Sequence, residues 1–156
     1  MFLVLTGLCA ACVPPSAYHV ITEKAYLSDL PRQKKLFLVD ARHLPDIKLL
    51  NHLNRNEWES FDAKIGAVKD EPTRVLLRSV RLLKEKNYLA SYQVMANYPD
   101  AWQDCQALML KTDCLHELKV DSVDVRARYQ QAFDCTSNQT VKSIAKTRFR
   151  FVNYGR

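Results

Sequence analysis

Glycine is almost absent from the body of this chain, and this scarcity limits the folds that the chain can adopt. The 156 residues include 3 glycines, of which Gly66 alone lies away from the termini. Phosphate-binding loops and dinucleotide-binding fingerprints require several glycines close together, so the sequence excludes both. Turn-dense β-barrels are disfavoured for the same reason. Because the length and the 47% hydrophobic content suit one ordinary core, we expect a single mainly helical domain.

Apolar residues recur every three or four positions through most of the chain, which is the pattern of amphipathic helices in a small antiparallel bundle. The pattern predicts helices over about 45–54, 56–66, 72–97, 101–118 and 122–135. Gly66 stands where a glycine commonly ends a helix, and Asp70-Glu71-Pro72 predicts the start of the third helix, with proline near the first turn and acids at the positive end of the helix dipole. Asp100 with Gln103 predicts a capping box for the fourth helix, and the Asp-Ser pair at 121–122 caps the fifth.

Two further segments predict short β-strands. Residues 36–39 form an apolar run that is typical of one buried strand, and 148–154 alternate in part and are rich in aromatic residues. The second segment is expected to be an edge strand that pairs with the first, or an extended tail that binds a partner. A polar loop is predicted over 136–140. Prolines and mixed polar residues over 12–34 predict a tether and irregular lead-in, which leaves 35–156 as the folded domain.

The N-terminal residues form an uncharged apolar run that ends in small residues before a cysteine. Cys12 follows two alanines and precedes Val13 and a Pro-Pro pair. This arrangement resembles the lipobox of bacterial lipoproteins, in which a peptidase cuts before the cysteine and the cysteine is acylated. The resemblance implies that 1–11 are a signal peptide and that Cys12 carries a lipid anchor. Because Val13 replaces the aspartate of inner-membrane retention signals, it also implies an outer membrane, on the periplasmic side.

An alternative interpretation keeps the N-terminal segment in the mature protein. Residues 1–12 would then be a buried strand or an uncleaved anchor in a subunit of a large membrane complex, for example a mitochondrial one. The run is too short to cross a bilayer alone, because a spanning helix needs about 20 apolar residues.

The spacing of the remaining cysteines predicts one disulfide. Cys105 and Cys114 lie on one predicted helix, about 13 Å apart along its axis, which is too far for a bond while the helix is intact. If helix 101–118 folds back on helix 122–135, the turn centres near Val120, which is equidistant in sequence from Cys105 and Cys135. We therefore predict a Cys105–Cys135 disulfide in an oxidising compartment, with three reduced core cysteines as the alternative.

A search for chemistry in the sequence yields no catalytic set. The four histidines belong to no recognised metal-binding or nucleophile motif. His52 and Glu57 could be neighbours, but such pairs are common. Asp113, Cys114 and His116 are possible metal ligands whose side chains point to different helix faces, and no further ligands can be placed. The sequence predicts no catalytic residue, cofactor or metal site.

The charge pattern favours an acidic or protein partner over nucleic acid. The formal net charge is +6, but the basic residues are dispersed and form no run of the nucleic-acid-binding type. Two surfaces are candidates for partner binding. One is the arginine face of helix 72–97, and the other is the basic aromatic segment near the C-terminus. The residues are Arg74, Arg78 and Arg81 on the first, and Arg148, Phe149, Arg150 and Phe151 on the second.

Together these features predict a non-enzymatic envelope lipoprotein. Its role would be that of a pilotin-like or scaffold subunit that binds a protein partner at the outer membrane, in a secretion system or a similar assembly. The alternatives are the complex subunit with residues 1–12 retained, and a periplasmic inhibitor or immunity protein.

Overall fold

The structure is a computed structural model that describes residues 18–23 and 34–154. Strands β1 (Tyr18–Glu23) and β2 (Lys34–Asp40) precede a short 3-10 turn at Ala41–His43. Within the described residues seven α-helices follow, which confirms the predicted mainly helical fold. They are α1 (Lys48–Arg55), α2 (Trp58–Ile65), α3 (Glu71–Lys84), α4 (Tyr88–Ala96), α5 (Trp102–Glu117), α6 (Ser122–Cys135) and α7 (Gln139–Tyr154).

The two strands form an antiparallel hairpin in which Tyr18 lies opposite Asp40. β2 confirms the strand predicted over 36–39, and it buries Phe37 and Val39 in the core. β1 falls within the segment predicted as an irregular lead-in, so that prediction was wrong for these residues. Its Tyr18, Val20, Ile21 and Thr22 are types that favour strands, but the run is short, and its pairing with β2 supplies the hydrogen bonds that make it a strand.

Side-chain caps define two helix starts where the sequence placed them. A carboxylate oxygen of Asp70 accepts a hydrogen bond of 2.9 Å from the Thr73 N–H at the start of α3. Asp121 accepts one of 2.7 Å from the Val123 N–H at the start of α6. Each cap satisfies a backbone donor that the first turn of a helix leaves without a partner.

The helix predicted over 72–97 is in fact two helices, α3 and α4. Between them Lys86 adopts a left-handed conformation with φ 61°. Its N–H donates to the Leu83 carbonyl, and the Asn87 N–H donates to the Leu82 carbonyl, both at 2.9 Å. These are the bonds of a Schellman helix end, which usually contains glycine. This break was not predicted because a lysine occupies the usual glycine position; the local signal that could have indicated it is Asn87, whose side chain caps the start of α4.

Other helices end in the same way without glycine. Asn56 after α1 and Lys119 after α5 have φ values of 60° and 62°. Gly66, by contrast, is right-handed with φ −62°. The predicted helix end at Gly66 is confirmed, because α2 ends at Ile65, but Gly66 does not adopt the left-handed conformation that asparagine and lysine adopt at the other two ends.

The first turn of α5 departs from the predicted capping box. Gln103, Asp104 and Cys105 are consecutive left-handed residues with φ values of 50°, 57° and 66°. The N-cap position is Ala101, which makes no side-chain cap. Asp100 instead accepts a hydrogen bond of 2.9 Å from the buried Lys111 ammonium. A left-handed turn of L-residues costs about 1–2 kcal/mol per residue, so the surrounding contacts must hold it.

The segment 148–154 is the end of α7 and not an edge strand. Asn138 begins this helix, and its side-chain oxygen accepts from the Thr140 N–H at 2.9 Å. The helix buries one stripe at the spacing i, i+3, i+4 and i+7, made of Val141, Ile144, Ala145 and Arg148. An arginine in the buried stripe masks the helical pattern in the sequence, and the strand prediction was wrong for that reason.

The helices pack mainly against their neighbours in the sequence, and α7 returns to contact β2. One core cluster joins the hairpin to α1 through α5, and a second joins α5, α6 and α7. The second cluster consists of Leu108, Met109, Ala132, Val141, Ile144 and Ala145, with Phe133 packed against it. This cluster fixes the relative position of α6 and α7, which line the groove described below.

Candidate functional site

The arginines predicted as a partner face on α3 are largely engaged within the fold. Arg81 donates to Glu85 at 2.6 Å and to Asp62 at 2.9 Å, and its guanidinium carbon lies 5.5 Å from the centre of the Trp58 ring. Arg74 donates to the Val68 carbonyl at 3.0 Å. Arg78 is exposed. These three residues therefore do not form a continuous unpaired surface.

Arg148, predicted as part of a binding tail, is buried in an ion pair. Its side chain is 2% exposed and that of Asp113 is 0% exposed. Arg148 Nε donates to Asp113 Oδ1 at 2.7 Å, and Nη2 donates to Oδ2 at 2.9 Å. The Tyr129 hydroxyl also donates to Asp113 Oδ1 at 2.7 Å. Because these residues belong to α7, α5 and α6, the network ties the three helices together.

The buried position of Arg148 turns other residues of α7 outward, where they line a groove against α6. The α6–α7 groove has a volume of about 190 Å³ and is lined by Gln130, Phe133, Lys146, Phe149 and Arg150. Both phenylalanines are half-buried, whereas Lys146 and Arg150 are exposed. The predicted residues Phe149 and Arg150 thus share a surface, although on a helix and not on a strand. The side chain of Phe151 lies outside the described residues.

A basic stripe follows one edge of this groove. Lys142, Lys146 and Arg150 are spaced four residues apart, so they lie in a row along α7. The Lys142 ammonium is 5.5 Å from the centre of the Phe133 ring. Lys142 and Lys146 were not predicted as site residues because no helix was expected over 139–154, and Phe133 was expected in the core face of helix 122–135. Once Asn138 is taken as an N-cap, the four-residue spacing of the basic residues becomes visible.

A polar cleft of about 260 Å³ lies between the end of β2 and the first turn of α5. Asp40 at its edge is buried, and it accepts hydrogen bonds of 2.9–3.0 Å from Arg42 Nε. These bonds from the Arg42 side chain lower the pKa of Asp40 to about 2. The Arg42 side chain itself is 70% exposed.

Next to this cleft His43, Thr73 and Asp70 contact one another without forming a catalytic relay. His43 Nδ1 lies 3.2 Å from Thr73 Oγ1 and 3.4 Å from Asp70 Oδ2. A nucleophile relay needs the hydroxyl at one ring nitrogen and the carboxylate at the other, whereas here both share one nitrogen. Burial raises the pKa of Asp70, but hydrogen bonds from Thr73 outweigh this and lower it overall. His43, Thr73 and Asp70 therefore form a polar cap at the start of α3.

The suspected His52–Glu57 pair is present at the junction of α1 and α2. His52 Nδ1 and Glu57 Oε2 are 2.6 Å apart, and His52 Nε2 lies 3.1 Å from the Lys64 ammonium. Nδ1 is therefore assigned as the protonated nitrogen, which donates to the carboxylate, while Nε2 accepts from Lys64. The arrangement links the two helices.

The structure contains the predicted disulfide between Cys105 and Cys135, whose Cα atoms are 6.1 Å apart. It joins the start of α5 to the end of α6. Cys114 is a free, buried thiol, and burial raises its pKa to about 12. Cys12, the predicted lipidation site, lies outside the described residues.

Within residues 18–23 and 34–154 no group of three or more His, Cys, Asp or Glu side chains is arranged to hold a metal ion. No helix in the same part of the chain has the length and apolar character required to span a bilayer. Comparison with known proteins finds no matching family model, curated protein or solved structure.

Proposed function

We propose that this protein is a non-enzymatic accessory subunit of the bacterial cell envelope, anchored by a lipid on Cys12, that binds a protein partner at the outer membrane. The observation that carries the proposal is the Cys105–Cys135 pair. Disulfides persist in oxidising compartments such as the periplasm and are rare in the cytosol. The lipobox-like residues 10–12 point to the same compartment by an independent route.

The position of the disulfide suits a scaffold role. It closes the open end of the hairpin formed by α5 and α6 and thereby fixes the end of α6 beside Phe133. A helix held at both ends presents a fixed surface to a partner, which lowers the ordering cost of association.

The α6–α7 groove is the surface that best supports partner binding. Of the two surfaces considered from the sequence, the α3 face uses Arg74 and Arg81 in internal contacts. Phe149 and Arg150 instead line a groove that combines aromatic rings with exposed positive charge. Aromatic and arginine side chains are the types that most often carry binding energy at protein interfaces.

A labelling experiment tests the anchor and the compartment. The full chain is expressed in a Gram-negative bacterium that is fed an alkyne analogue of palmitate, and the membranes are then fractionated. We expect label on the wild-type protein in the outer-membrane fraction and none on the Cys12→Ser variant. The matched Cys114→Ser variant, which replaces a free thiol outside the lipobox-like segment, should label normally. Equal labelling of the wild type and Cys12→Ser, or no labelling of the wild type, would refute the proposed anchor.

A further inference from the structure

We infer that the α6–α7 groove receives an acidic amphipathic helix of a partner protein. A large apolar side chain of that helix would sit between Phe133 and Phe149, and its acidic side chains would lie along the basic stripe. This inference rests on the proposed function only in assuming that the protein binds a protein partner.

The size and lining of the groove favour a single apolar anchor. Its volume of about 190 Å³ is below the range of about 300–1,000 Å³ that is usual for small-molecule sites. Phe133 and Phe149 are both half-buried, so an inserted side chain would cover aromatic surface that water now contacts. A groove of this kind fits one leucine, methionine or aromatic side chain of a partner.

The basic stripe supplies the charge complementarity. Lys142, Lys146 and Arg150 extend over about 12 Å of helix. Like charges four residues apart destabilise a helix, so the stripe does not help α7 to fold. Among the described residues neither Lys146 nor Arg150 forms an ion pair. Acidic side chains spaced four residues apart on a partner helix would match this row.

The only nearby acid that the groove residues contact in the described structure is already engaged. Both carboxylate oxygens of Asp134 accept hydrogen bonds from the Gln130 amide, at 3.0 and 3.1 Å. Asp134 forms no ion pair with Lys146 or Arg150 within the described residues, so both basic side chains at the edge of the groove keep exposed charges.

The backbone of α7 decides between a helix and a strand as the bound element. Residues 148–154 are helical, so their N–H groups donate to carbonyls within α7 and the segment does not form a sheet edge. Binding of a partner by 148–154 as an extended tail, one of the two possibilities predicted from the sequence, is incompatible with this conformation. A helix laid along α7 can place one apolar side chain in the groove and acidic side chains, four residues apart, beside the basic stripe.

Selection from a peptide library tests the inference without knowledge of the natural partner. A display library of cysteine-free peptides, long enough for four helical turns, is selected against the full chain with its disulfide intact. The most enriched peptide is then synthesised, and its affinity is measured by fluorescence anisotropy. The test variant is K146E/R150E. The matched control is K69E/R78E, which makes the same change of charge at two exposed residues outside the groove.

We expect the enriched peptides to carry acidic residues four positions apart next to a large apolar residue. Their affinity for K146E/R150E should fall at least about tenfold, while K69E/R78E should bind like the wild type. Circular dichroism of each variant establishes that the fold is retained. Enriched peptides without acidic residues, equal binding to all variants, or no enrichment would each overturn the inference. Because palmitate labelling does not depend on this groove, a failure here is distinguishable from a failure of the proposed anchor.

Discussion

Replacement of Asp113 by asparagine should destabilise the protein more than most single substitutions. The side chain of Asp113 is 0% exposed and accepts two hydrogen bonds from Arg148, which is itself 2% exposed. Asparagine keeps the shape but removes the negative charge. The Arg148 guanidinium would then stay buried while it loses the carboxylate charge that accepts two of its hydrogen bonds, and removal of one partner of a buried ion pair is costly.

The expected loss follows from the complete burial of the pair. Breaking a buried ion pair by removal of one partner costs about 3–5 kcal/mol, out of a total free energy of unfolding of about 5–15 kcal/mol for a domain. With a urea slope of about 2 kcal/mol/M, the unfolding midpoint should fall by about 2 M. Arg148→Met should cost a similar amount, because it leaves the carboxylate of Asp113 without its charged partner.

Urea unfolding of the wild type, Asp113→Asn, Arg148→Met and the double variant measures the coupling. The double variant should lose less stability than the sum of the single losses, by about 1 kcal/mol or more, since neither charge is then left alone. Circular dichroism follows the transition with the disulfide intact. A loss below about 1 kcal/mol for Asp113→Asn, or strict additivity of the two substitutions, would contradict the buried ion pair.

The remaining predictions concern the disulfide, the free thiol, an acidic group and a helix end. Replacement of both Cys105 and Cys135 by alanine opens a loop with a sequence separation of 30 residues. It should lower the free energy of unfolding by about 3–4 kcal/mol, measured in urea. Cys114 should resist iodoacetamide at pH about 8 in the folded protein and react in urea, because burial raises its pKa and shields it from reagent. Hydrogen bonds from the neighbouring guanidinium hold the pKa of Asp40 at about 2, below its ordinary 3.8. The ionised Asp40 carboxylate therefore stabilises the folded protein fully above pH about 4, and this stabilisation is lost as the pH falls through about 2. Asp40→Asn should remove this pH-dependent part of the free energy of unfolding. Lys119→Gly should stabilise the protein by about 1 kcal/mol, because glycine adopts the left-handed conformation without steric cost.

Each of these predictions has an outcome that contradicts it. An unchanged urea midpoint after the double alanine replacement would show that the disulfide adds no stability. Mass spectrometry that finds native Cys114 alkylated would contradict its burial. Identical acid-unfolding curves for the wild type and Asp40→Asn would contradict the lowered pKa of Asp40. A loss of stability in Lys119→Gly would contradict the left-handed conformation at the end of α5.

Features that depend on local sequence were predictable. The caps at Asp70 and Asp121 lie within one turn of the N–H groups that they bond. The Cys105–Cys135 pairing required only two helices joined by a short turn, and this geometry follows from the positions of the helices alone.

Features that depend on distant residues were not predictable. Arg148 occupies a buried position because Asp113, 35 residues earlier in the chain, neutralises it, and no local pattern shows this pairing. The last part of α7, 148–154, was mistaken for a strand on that account, and the groove between α6 and α7 was missed with it. The break at Lys86 escaped prediction because the usual glycine is replaced by a lysine whose conformation is set by the packing of α3 against α4.

The most direct test of the lipid anchor and the disulfide is an intact-mass measurement on the protein purified from its own source. The mass is measured with and without a thiol-alkylating reagent under denaturing conditions. The account predicts loss of residues 1–11, a diacyl or triacyl increment on Cys12, and one alkylated thiol at Cys114. These mass changes would establish that the protein carries a lipid and that the Cys105–Cys135 disulfide is formed, as expected in an oxidising compartment. A full-length mass in which every cysteine is alkylated would contradict both the lipid anchor and the disulfide.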